Sequence, residues 1–112
     1  MKYALLIYEV PGSLDALPPG QYEAMFAEYM ALSNKSRFLN GARLQPVETA
    51  TTVRVRDGQT LTTDGPFADS KEVFGGFCVF DVDNLGEAVE LAAQIPSCRI
   101  GGPVEIRPLV ER

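Results

Sequence analysis

The stretch "GGFCVFDVDNLGEAVELAAQIP", Gly75–Pro96, decides the fold. Its first part alternates Phe77 and Val79 against Cys78, Phe80 and Val82, so both faces are mostly apolar, as in a central strand covered on both sides. Gly75 and Gly76 precede that run, where glycine permits close backbone approach or a bulge. Asn84 and Glu87 then match the N-cap and N3 positions of a capping box, and Leu85, Ala88, Val89, Ala92 and Ile95 follow at helical spacing until Pro96 stops the helix. A doubly covered strand running straight into an amphipathic helix is half of an α+β plan.

Working outward, Lys2–Glu9 sets Tyr3, Leu5 and Ile7 against Ala4, Leu6 and Tyr8, a second strand with two apolar faces. "PGSLDALPPG" breaks the pattern, with Pro18 and Pro19 suited to a first helical turn. From Gln21, the set Tyr22, Met25, Phe26, Tyr29, Met30 and Leu32 predicts a helix of about five turns, ended by Asn40-Gly41. "ARLQPV" reads as a short edge or bulged strand because of Pro46. "TTVRVRDGQTLTTDG" reads as a hairpin turning on Asp57-Gly58, with Arg54 and Arg56 on a solvated side. "PVEIRPLV" closes the chain, with Val104, Ile106, Pro108 and Val110 on one face and Glu105, Arg107 and Leu109 on the other.

This order predicts a ferredoxin-like split βαβ fold of the α+β class, with an inserted β-hairpin and the helices on one face of an antiparallel sheet. Two helices cover one face only, yet two strands are apolar on both. The expected cover for the second face is another copy of the chain, a homodimer packed sheet to sheet.

Composition narrows the function classes. A chain of 112 residues with 46% hydrophobic and 22% charged residues has the make-up of one globular domain. The net charge of -5 opposes nucleic-acid binding. The apolar start leads into Glu9 and Pro11-Gly12 instead of continuing as a signal peptide, and no apolar run reaches the roughly 18 residues of a membrane span. A cytoplasmic protein without membrane contact is expected. Histidine is absent, and Cys78 and Cys98 form no metal spacing, so neither a His/Cys zinc site nor Cys–His catalysis is expected. Cys78 reads as a small buried hydrophobe and Cys98 as a loop residue.

"TDGPFADSKEVFGGF", the acidic helix start "DVDNLGEAVELAAQIP" and the ending "VEIRPL" resemble the YCII-related family, specifically its DGPF branch. The resemblance runs from "MKYALLIY" through "ATTVRVRDG" to the last strand. It implies a ferredoxin-like fold that dimerises into an α+β barrel, in bacterial chains of which most have no assigned activity and some are associated with sigma factors. In related YCII proteins a His–Asp pair has been proposed as the active site. This chain has no histidine, and Ile95 precedes Pro96 where an aspartate is expected, so that pair is not carried over.

The candidate residues lie elsewhere. Asp64, oriented by Gly65 and Pro66, either acts as an acid/base or ligand-orienting carboxylate or shapes its turn. Lys71 either supplies positive charge to an anionic ligand or belongs to a solvated run. Glu105 and Arg107 share a strand face, where Arg107 offers a planar fork to a carboxylate or pairs structurally with Glu105. Tyr8 and Glu9 reach towards the same cavity, while Tyr22 and Tyr29 are expected in the core. The reading favoured by these residues is a dimer binding or transforming a small polar or anionic metabolite, without metal or organic cofactor. The alternative is a non-catalytic regulatory or interaction module associated with a sigma factor or other partner.

Overall fold

The computed structural model describes residues 1–68 and 70–111. The chain forms β1 (Lys2–Glu9), α1 (Gln21–Ser33), β2 (Phe38–Arg43), β3 (Thr51–Arg56), β4 (Gln59–Asp64), β5 (Val73–Asp81), α2 (Leu85–Ala93) and β6 (Val104–Pro108). Short 3₁₀ turns occupy Val47–Thr49 and Pro96–Ile100. The main sheet has the order β2-β5-β1-β6, antiparallel throughout, while among the described residues β3 and β4 pair only with each other. This is the ferredoxin-like arrangement, with the hairpin inserted between β2 and β5.

Register explains which face is buried. Tyr3 lies opposite Phe80, Leu5 opposite Cys78 and Ile7 opposite Gly76, while β6 adds Ile106 beside Leu5. Side chains directly opposite share a face. Leu32 from α1 and Ala88, Ala92 and Ile95 from α2 and its C-terminal extension pack on that face, where Leu5, Phe80, Ala88 and Ile95 are fully buried. Phe38 meets Phe80 edge to face at 5.5 Å, an arrangement worth about 1 kcal/mol beyond its burial. The opposite face carries Ala4, Leu6, Tyr8, Phe77 and Val79, and among the described residues no helix packs on it. The chain is accordingly thin: its extents are 45 × 44 × 20 Å, and its radius of gyration of 15.9 Å exceeds the roughly 13 Å of a compact chain this long.

The hairpin turn is formed as the dipeptide predicts, with φ of 51° at Asp57 and 77° at Gly58. Asn84 Oδ1 accepts the Glu87 amide at 3.0 Å, and Glu87 Oε2 accepts the Asp83 amide at 2.9 Å, so the box forms with its return bond one residue early.

Other expectations are corrected. α1 has 13 residues, not five turns, because Asn34 closes it by donating its amide to Ala31 and Leu32. Asn40 and Gly41 lie inside β2, which begins at Phe38, and Pro46 stands outside any strand. Pro18 and Pro19 precede the helix, whose N-cap is Gly20. In α2, Leu85 and Val89 are exposed, and Ala88, Ala92 and Ile95 make the buried stripe.

Candidate functional site

Beneath α1 the chain leaves a cleft of about 170 Å³. Ile7, Phe26, Tyr29, Met30, Phe38 and Cys78 contribute to its walls, and Gly41 and Gly76 to its floor. Those glycines are required by close packing: a Cβ at Gly41 would lie 2.7 Å from the Phe77 carbonyl oxygen, and one at Gly76 2.7 Å from that of Ala42. Without side chains at either position, the space between helix and sheet stays open.

The same glycine run creates a charged mouth. β1 and β2 flank β5 and do not touch each other, so side chains on the two outer strands would ordinarily be kept apart by whatever β5 carries between them. Here β5 carries Gly75 and Gly76, with Ile7 on one side of Gly76 and Arg43 on the other. The Arg43 guanidinium therefore comes within 3.9 Å of Glu9 Oε1 across the strand, and it also lies 6.0 Å from the centre of the Tyr22 ring. Glu9, Arg43 and Gly75 border a second, wider groove of about 580 Å³, lined by the 10–15 loop, residues 44–48, Val73 and Phe74. An apolar cleft thus adjoins a wider, more polar groove, with the Glu9–Arg43 pair bordering both.

Tyr29 adds a phenol side chain to the cleft wall. Burial raises its pKa above the ordinary value near 10, Ser97 beside it pulls the other way, and Glu9 and Arg43 act on it with opposite signs. Burial likewise raises the pKa of the Cys78 thiol, keeping it a neutral wall residue. Among the described residues no group of three or more His, Cys, Asp or Glu side chains is placed to hold a metal ion.

Three of the residues singled out from sequence come together on the uncovered sheet face. Tyr8 Oη donates to Glu105 Oε1 at 3.4 Å, Arg107 lies 3.3 Å from Glu105 Oε2, and Phe74 stacks at a tilt on Tyr8, 5.6 Å between centroids. Glu9 is not with them. It points to the helix side, because neighbouring strand residues face opposite ways. Asp64 is exposed at the end of β4, in the separate hairpin sheet, and Lys71 is exposed in the following connection. The turn after Asp64 is held by other groups: the Gly65 amide donates to Ala50, Thr52 Oγ1 donates to the Gly65 carbonyl, each at 2.7 Å, and Gly65 adopts φ 97°. Neither Asp64 nor Lys71 lines the cleft or the groove. Tyr22, expected in the core, is exposed at the groove, and Tyr29 stands in the cleft wall. Arg43 went unread because its role depends on a strand boundary and on the glycines of a different strand. The available signal was the Gly75-Gly76 pair itself.

The sequence profile of the YCII-related domain matches residues 1–111. The chain belongs to the YCII-related family. An uncharacterised protein of Rhizobium meliloti (strain 1021) is 32% identical over 114 residues, covering 97% of this chain and 92% of that protein. Among solved structures, 5-chloro-2-hydroxyhydroquinone dehydrochlorinase from Burkholderia phenoliruptrix AC1100, in complex with 2,5-dihydroxybenzoquinone, superimposes with a TM-score of 0.56. The match covers all of this chain and 96% of the dehydrochlorinase at 17% identity, a likeness of fold. Membership of the YCII-related family and the ferredoxin-like topology agree throughout the chain. No helix among the described residues is long and apolar enough to cross a membrane.

Proposed function

We propose that this YCII-related protein binds a small, largely apolar metabolite carrying an acidic or hydroxyl group, in the cleft beneath α1, with Arg43 as the anion anchor. The observation that carries this reading is the Glu9–Arg43 pair where an apolar cleft adjoins a wider, more polar groove. Glu9 at 3.9 Å and the Tyr22 ring at 6.0 Å flank the guanidinium, and a planar guanidinium recognises carboxylate or phenolate oxygen directionally. A cleft of about 170 Å³ matches a single ring, since an apolar cavity of about 150 Å³ accepts benzene. The hydroxylated ring in the dehydrochlorinase complex belongs to a distant relative by fold, and it suggests which compounds to try first.

A second reading concerns the uncovered sheet face. Leu6, Phe77 and Val79 are apolar there, where a solvated antiparallel sheet would present polar residues, which supports a second copy of the chain as the cover. In such a homodimer Tyr8, Glu105 and Arg107 would lie at the interface or in the enclosed space. Asp64 and Lys71 would act there only if the hairpin arm reached the partner.

The test is a thermal-shift screen against small carboxylates, phosphates, amines and phenols. A ligand at about a hundred times its dissociation constant raises stability by roughly 2.7 kcal/mol. A hit lost in Arg43→Gln supports the cleft. A hit indifferent to Arg43 but lost in Asp64→Asn or Arg107→Ala moves the site to the hairpin or the open face. No hit among these compounds overturns the metabolite reading in favour of an interaction module.

A further inference from the structure

Ser97 is 2% exposed, and its Oγ has no hydrogen-bond partner among the described residues. A serine hydroxyl carries one donor and two acceptor positions, and a buried one left empty is uncommon enough to need an explanation. Ser97 sits in the Pro96–Ile100 turn, which is fastened to α1 by the ion pair of Arg99 with Glu28. Tyr29, one residue along α1 from Glu28, lies against Ser97 with its ring in the cleft wall. Ser97 thus stands behind Tyr29, outside the cleft itself, at a stretch of wall whose other members include Phe26, Met30 and Phe38, away from the charged pair of Glu9 and Arg43.

The packing fixes this pair instead of leaving it to chance. A Cβ at Gly102 would lie 2.2 Å from the Tyr8 carbonyl oxygen, and the Gly102 amide donates to the Ser97 carbonyl at 2.9 Å. The backbone thus approaches β1 closely, and the serine is held inward with its own carbonyl already used. Its hydroxyl remains free to turn towards the phenol.

We propose that Tyr29, backed by Ser97, is the point of the cleft that recognises a neutral hydroxyl, apart from the anion anchor at Arg43, taking the hydroxyl of a phenol whose ring lies against Phe26, Met30 and Phe38. This rests on the reading of the cleft as a ligand site, and it adds the chemistry the site selects for. In the filled site Ser97 hydrogen-bonds the Tyr29 oxygen and Tyr29 hydrogen-bonds the ligand oxygen, so one chain gives the buried Ser97 hydroxyl its partner. A site built to bond a hydroxyl discriminates strongly against the analogue that lacks it, because its own polar groups are then left unpaired.

Calorimetric titration with phenol and with toluene separates the two levels of the proposal, using wild type, Tyr29→Phe and Ser97→Ala. Wild type is expected to bind phenol at least tenfold more tightly than toluene. Tyr29→Phe should bring that ratio near one with toluene affinity unchanged, and Ser97→Ala should lower it severalfold. If wild type binds both compounds with a ratio near one, or with a ratio that Tyr29→Phe and Ser97→Ala leave unchanged, the oxygen-recognition role falls and the cleft stands. If wild type binds neither, both fall together. Retained toluene binding in the variants shows that the cleft itself has survived substitution.

Discussion

Gly75 stands directly beneath Glu9: a Cβ at that position would lie 2.6 Å from Glu9 Cδ and 2.8 Å from Oε1. The pairing of β1 with β5 slips at this point, from Ile7 opposite Gly76 to Tyr8 opposite Phe74, so Gly75 is the extra residue of a bulge. The bulge and the missing side chain together let the Glu9 carboxylate lean over β5 towards Arg43.

The glycines of the cleft should therefore differ in their tolerance of alanine. At Gly75 the obstruction is the end of a flexible side chain, which can swing away, so Gly75→Ala should destabilise by less than about 1 kcal/mol. At Gly41 and Gly76 the obstruction is backbone carbonyl oxygen of the neighbouring strand, and alanine should lose about 1 to 3 kcal/mol. Urea denaturation of the three variants checks the order. Equal losses would mean that Glu9 is as fixed as the backbone.

Alkaline pH should weaken the fold in two stages. Burial raises the pKa of Cys78 from about 9 and that of Tyr29 from about 10. Both groups hold their protons more tightly folded than unfolded, so their contribution is complete below the unfolded pKa and is lost as pH rises through the folded value. Stability should begin to fall above pH 9, more steeply above 10. Burial raises Cys98 from about 9 as well, so Cys78→Ala together with Cys98→Ala should remove the first stage and Tyr29→Phe the second, in melting temperatures measured from pH 7 to 11.

Asn84→Ala removes the acceptor for the Glu87 amide at the start of α2. The loss expected for such a cap is about 1 kcal/mol. Asn84→Asp should keep most of the stability, since it retains the oxygen and adds a favourable charge at a helix N-terminus. Thermal unfolding of the two variants distinguishes loss of the cap from loss of side-chain packing.

The proposed homodimer predicts a solution mass of twice 12.2 kDa at micromolar concentration, and Leu6→Lys on the open sheet face should halve it. Sedimentation equilibrium reads both. A wild-type mass of 12.2 kDa would remove the dimer.

Local signals in the chain were sufficient wherever an element is specified by its own residues. β1 and β5 announce themselves by two apolar faces, the hairpin by Asp57-Gly58, and the start of α2 by Asn84 and Glu87. The end of α1 was illegible because Phe38 and Leu39 extend its apolar pattern and no glycine or proline intervenes between Ser33 and Phe38. There the strand pairing of Phe38 with Phe80 overrides the periodicity. Likewise, Tyr8, Glu105 and Arg107 share a face by simple alternation, and that much was readable. The cleft was not, because it arises from register between three strands: Glu9, Gly75 and Arg43 are remote in sequence and meet only once β5 lies between β1 and β2.

The hairpin arm has a consequence for how the fold can change. At its base the Gly65 amide bonds to Ala50, so the chain leaves and re-enters the main body at nearly the same point. Between those residues β3 and β4 pair with no other strand. Lengthening a connection raises its closure entropy only logarithmically, about 0.6 kcal/mol per doubling. Residues 51–64 thus behave as a graft on a socket: trimmed, extended or exchanged for another module, they leave the four-stranded sheet and the cleft under α1 to assemble by the same pairings. Sequence change can accumulate on the arm while the walls of the cleft stay untouched.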